Sequence, residues 1–140
     1  MRVSQLTLHT TEPAGADFAA LAATQPQLVL AFGAVDALKG AAGALAAAFP
    51  QAHRIGCSTA GEISASGVSD GTLVVTALAL AKTRVEQVST ELKTMEDSQL
   101  AGRRLASGLS RDGLRAILVF GQGVHINGSA MLAGMIEVVG

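Results

Sequence analysis

The run Leu28-Val29-Leu30-Ala31-Phe32, closed by Gly33, constrains the fold more than any other feature of the chain. A continuous apolar run with no polar face reads as a strand buried on both sides, as in a parallel sheet. Parallel strands need a crossover connection, and a helical stripe follows at once. Leu38, Ala41, Ala42, Leu45 and Phe49 share one face of a helix over 36–49, with Asp36 as its N-cap and Pro50 as its stop. Gly40 and Gly43 weaken that helix but let it pack closely on a sheet. Residues 52–57 form the next strand. Upstream, residues 3–9 alternate like an edge strand. Pro13 and Gly15 mark a loop, and a short helix runs from Asp17 to about Thr24 before Pro26. This strand-helix-strand-helix-strand order favours parallel strands joined by right-handed crossovers.

Downstream the pattern changes. Residues 67–71 carry loop chemistry. Residues 72–81 are continuously apolar and residues 84–92 alternate, which predicts two neighbouring antiparallel strands with a turn near Lys82-Thr83. A third main helix starts at Asp97 or Ser98 and runs to about Ser110, with Arg103 and Arg104 on its solvated side. Residues 114–120 read as another buried strand before Gly121-Gln122-Gly123. Asn127 caps a last helix carrying Met131, Leu132, Met135, Ile136 and Val139 on one face. The expected class is α/β: one domain over 1–140, with a mixed parallel/antiparallel sheet flanked by helices in a three-layer sandwich. The last helix breaks off at Gly140, which reads as a truncated domain whose exposed apolar surface favours a homo-oligomer.

Hydrophobic residues make up 49% of the chain and charged residues 15%, which excludes extensive disorder. A formal net charge of −1, no basic patch and no Trp or Tyr argue against nucleic acid as a partner. No apolar run is long enough to span a bilayer, and the amino terminus lacks the apolar core of a signal peptide. A single cysteine permits no internal disulfide, consistent with a cytoplasmic location.

The chemistry concentrates in Arg54-Ile55-Gly56-Cys57-Ser58-Thr59-Ala60-Gly61-Glu62-Ile63. A strand that ends among glycines can turn tightly and bring its amides close to a ligand. Ligand crevices in open α/β sheets form outside the carboxyl ends of strands. The candidate ligand-binding residues are Gly56, Cys57, Ser58, Thr59, Gly61 and Glu62. Cys57 can be a structural thiol, a nucleophile or a metal ligand. His53, four residues away on one strand, lies about 13 Å off and cannot activate it, which leaves His125 as the base for a Cys-dependent hydrolase or transferase. Glu62 is either a first-turn helix residue or a partner for a ligand amine. His9, His53, His125 and Cys57 have no short metal-ligand spacing. Haem needs only one axial His, so spacing leaves it open as a cofactor. With no acid–base pair evident, the reading is not an enzyme.

The run from Ile55 to Ile63 resembles the signature of the FIST N-terminal domain family. So do Gly67-Val68-Ser69-Asp70-Gly71-Thr72-Leu73-Val74-Val75 and Val119-Phe120-Gly121 followed by Asn127-Gly128. The resemblance implies a sensory domain of a signal-transduction protein that binds a small ligand such as an amino acid. It also implies a C-terminal FIST domain or a signalling output domain as partner. Some members of the family are haemoproteins that sense nitric oxide.

Overall fold

The computed structural model describes residues 1–140, and the chain forms two compact units, residues 1–85 and 86–140. The first contains β1 (Arg2–Leu8), a 3-10 turn (Gly15–Phe18), α1 (Ala19–Ala22), β2 (Leu28–Gly33), α2 (Val35–Ala48), β3 (His53–Ser58), β4 (Glu62–Ser64), β5 (Gly67–Ser69) and β6 (Leu73–Ala79). Four strands make one sheet in the order β1-β6-β2-β3, and β4-β5 is a separate hairpin. The sheet is mixed, as expected: β2 and β3 are parallel, while β6 runs antiparallel to both β1 and β2. The β2-α2-β3 crossover stands as read. β1, β2 and β3 run in one direction, as the alternation implies, but β1 is not the neighbour of β2, because β6 inserts between them.

Alternation along β2 and β6 decides where the core lies. Val29 and Ala31, with Leu73, Val75 and Ala77, are buried in one cluster with Phe18, Leu21, Ala37, Ala41, Leu45 and Phe49. This is the helix-bearing face. Register places Thr7, Val74, Phe32 and Cys57 in one row on the opposite face. Gly40 makes its close approach to Thr11 in the loop after β1 rather than to the sheet, and nothing lies near the Cβ position of Gly43. Ala34, not Asp36, is the N-cap of α2. The Asp17 carboxylate accepts the Ala14 N–H at 2.8 Å and so closes the 3-10 turn from within. Part of the expected loop at 67–71 is strand, since Gly67 to Ser69 pair with Ser64 to Glu62.

The second unit consists of a 3-10 turn (Met95–Asp97), α3 (Ser98–Ser107) and α4 (Gly128–Val139). The expected strands at 84–92 and 114–120 are absent: neither segment joins a ladder. Leu118 and Val119 are exposed. Strand propensity expresses itself only where a neighbour supplies hydrogen bonds and burial. The helices hold the unit instead. Met131, Met135, Ala101 and Ala106 form its core, and Asn127 caps α4 by accepting the Ala130 N–H at 3.0 Å. Buried Ser98 donates to Met95 O at 2.6 Å and accepts the Asn127 N–H at 2.9 Å.

Arg104 is not merely solvated. Its guanidinium grips both Asp97 oxygens at 3.0 and 2.8 Å, the Thr90 hydroxyl at 2.9 Å and the Glu91 carbonyl at 2.8 Å. Two of these bonds tether residues 90–91 to α3, while the other two fix the guanidinium on Asp97. The Arg104 hydrogen bonds hold the Asp97 carboxyl down from 3.8 to about 2, against the cost of partial burial. A depressed carboxylate contributes stability that is complete above its unfolded value and is lost as pH falls through the folded one. The α3 unit is therefore expected to loosen between pH 3.8 and about 2. Arg104→Met should remove that acid dependence and speed amide exchange at residues 90–93 at neutral pH. Unchanged exchange there would show that the clamp does not order the segment.

Candidate functional site

The parallel pair ends at Gly33 and Ser58, which are opposite one another in register. β3 does not turn at Gly56, which lies inside the strand. Its glycine identity has another cause: a Cβ there would overlap the backbone of Ala31 on β2. The chain turns instead at 59–61, between β3 and β4. The Thr59 N–H donates to Gly33 O at 3.1 Å, and the Ala34 N–H donates to Thr72 O at 3.1 Å. The loops after β2 and β3 and the start of β6 are thereby tied together at one end of the sheet.

Glu62 is the organising group. It is 1% exposed, and each of its oxygens is engaged. Oε1 accepts from the Thr59 hydroxyl at 2.7 Å. Oε2 accepts from the Thr72 N–H at 2.9 Å and the Thr72 hydroxyl at 2.8 Å. A buried carboxylate is tolerable only with such donors. They hold its pKa below the ordinary 4.5, the Thr59 hydroxyl contributing most, then the Thr72 amide and the Thr72 hydroxyl, with desolvation opposing them. Thr72 Oγ1 also lies 2.9 Å from Ser69 Oγ. Glu62 is a strand residue, not a first-turn helix residue, and in this geometry it anchors the loop from beneath.

The other expected site residues are nearer the surface. Cys57 and Ser58 are exposed, and Thr59 and Gly61 are half-buried. The buried, structural reading of Cys57 is thus corrected: as part of edge strand β3, it has no covering layer beyond it in the sheet. Cys57 and Ser58, being consecutive in a strand, point to opposite faces. The structure brings Thr59 and Glu62 together, whereas Cys57 and Ser58 flank the strand end. No group of three or more His, Cys, Asp or Glu side chains could hold a metal ion.

Sequence reading missed Thr72 and Ser69. The signal lay in the hairpin: a strand-borne Glu destined for burial needs donors, and the hydroxyl residues returning after Gly67 supply them.

The arrangement is a mixed α/β sheet with a polar strand end ordered by a buried carboxylate. Residues 27–140 match the family model described as FIST N domain. The chain belongs to the FIST N domain family, a sensory family of signal transduction that is generally non-enzymatic. Comparison with curated proteins and with solved structures yields no match. No helix is long and apolar enough to cross a membrane.

Proposed function

We propose that this chain senses a small polar ligand, such as an amino acid, at the strand-end segment formed by Gly56, Cys57, Ser58, Thr59 and Gly61, with Glu62 fixing its shape. One observation carries the reading. A polar, accessible strand end at the β2-β3 parallel pair is held rigid by a fully satisfied buried carboxylate. Preorganised loops lose little entropy on binding, and strand ends of this kind are where α/β sheets place ligands. The partners that go with the reading are a C-terminal FIST domain or a signalling output domain, or a second copy of this chain, in a cytoplasmic setting.

The test is a thermal-shift screen of the protein with amino acids. A ligand present at about 100 times its Kd stabilises the folded state by about 2.7 kcal/mol. That corresponds to a rise of roughly 5–10 °C in Tm for a domain of this size. Absence of any shift across the set would remove the proposal.

A further inference from the structure

We propose that the Thr59 hydroxyl is an acceptor-only subsite, backed by the Glu62 carboxylate, that selects ligands presenting a hydrogen-bond donor, with a primary ammonium the best fit. The inference rests on the ligand site proposed above and names the chemistry of the group that enters it.

Thr59 has one backbone donor and one side-chain donor. The N–H is spent on Gly33 O at 3.1 Å and the O–H on Glu62 Oε1 at 2.7 Å. An ionised carboxylate can only accept, and hydrogen bonds to the charged form keep Glu62 ionised at neutral pH. The direction of the Thr59–Glu62 bond is therefore forced. The same holds for Thr72, whose hydroxyl gives its proton to Glu62 and must take one from Ser69 at 2.9 Å. Every proton in the cluster points toward the buried carboxylate. What the Thr59 side chain offers outward is oxygen lone pairs.

Those lone pairs are enriched by the anion one bond behind them, since hydrogen bonds in a chain polarise one another. An incoming ammonium would extend the chain as N–H to O–H to carboxylate, a charge-assisted arrangement. A carboxylate arriving at the same oxygen would find no proton and a like charge beyond it. It would have to take the Thr59 proton and leave Glu62 Oε1 unpaired. In a zwitterion the amino group therefore faces Thr59 and the carboxylate lies away from it.

The experiment compares matched pairs that differ only in the amino group: alanine against propionate, aspartate against succinate, phenylalanine against phenylpropionate. Each is measured by thermal shift and calorimetry on the protein used above. The amino member of a pair is expected to bind and its deaminated partner not to. Thr59→Ser, which retains the hydroxyl, should preserve the discrimination. Thr59→Val should weaken binding roughly 10- to 100-fold, as loss of a hydrogen bond to a charged group does. Equal binding of both members leaves the site standing and overturns this inference alone, as does undiminished binding by a folded Thr59→Val protein. No binding by either member of any pair overturns both. If Thr59→Val does not fold, the pairwise comparison on the unaltered chain still decides the matter.

Discussion

Gly134→Ala is expected to destabilise the α3-α4 unit, lowering its melting temperature by roughly 10 °C, a net loss of about 2 kcal/mol. Helix propensity alone predicts the opposite sign, since Gly→Ala in a helix interior gains up to about 1 kcal/mol. Packing reverses it. A Cβ on Gly134 would overlap the Gln99 carbonyl, and a Cβ on Gly102 would overlap the carbonyl of Met131. The two glycines sit reciprocally in one helix crossing, so neither helix can yield without separating Met131 and Met135 from Ala101 and Ala106. Gly43→Ala is the control. It lies in helix α2 with nothing near its Cβ position, and there the propensity gain should appear as a small rise in stability. Circular-dichroism melts, with amide exchange read on α3 and α4, provide the measurement. A stabilised Gly134→Ala protein would show that the crossing has room to spare.

Glu62→Ala should lower the melting temperature of residues 1–85 by roughly 10 °C or more, because it strands a buried amide and removes the hub of the turn. The Thr72 N–H is the group at stake, since Thr72 is itself 2% exposed. Glu62→Gln should cost less: its amide oxygen can still serve Thr72, while its NH2 meets Thr59. Exchange should rise first along 62–69, because Glu62 ties that hairpin to Thr72 at the entry to β6; further ties are Ser69 Oγ to Thr72 Oγ1 at 2.9 Å and the Ala65 N–H to the Gln5 side chain at 3.3 Å. The pH dependence has a definite sign. The folded carboxylate titrates below its ordinary 4.5, so its contribution is complete above that value and disappears as pH falls through the folded pKa. Acid should therefore loosen the hairpin in the native chain and leave the Glu62→Ala chain unmoved. A hairpin equally protected at neutral pH in both chains would show that the carboxylate is not its anchor.

Much of this was legible in the residues. The apolar run at 28–32, the stripe from Leu38 to Phe49 and the Asn127 cap are local codes. Each depends on spacing within a dozen residues or so and lies where it was read, although β2 is fully buried on one face only, with Leu28, Leu30 and Phe32 half-buried, and Ala42 is exposed. The mixed α/β class followed from them, and the family signature over 55–75 pointed to sensing.

Other features depended on neighbours that spacing cannot reveal. Residues 84–92 and 114–120 carry strand patterns, yet a strand exists only where a partner strand meets it, and none does. Gly56 reads as a turn former, yet the surface it touches makes it a contact point, as are Gly102 and Gly134 in the helix crossing. Glu62 could be placed beside the small-residue loop from sequence alone. That it faces inward onto Thr59 and Thr72 was decided only when the β4-β5 hairpin brought residues ten positions apart into hydrogen-bonding distance. Periodicity is a property of the chain, whereas burial and partnership are properties of the packed surfaces, and the direction of the Thr59 proton belongs to the second kind.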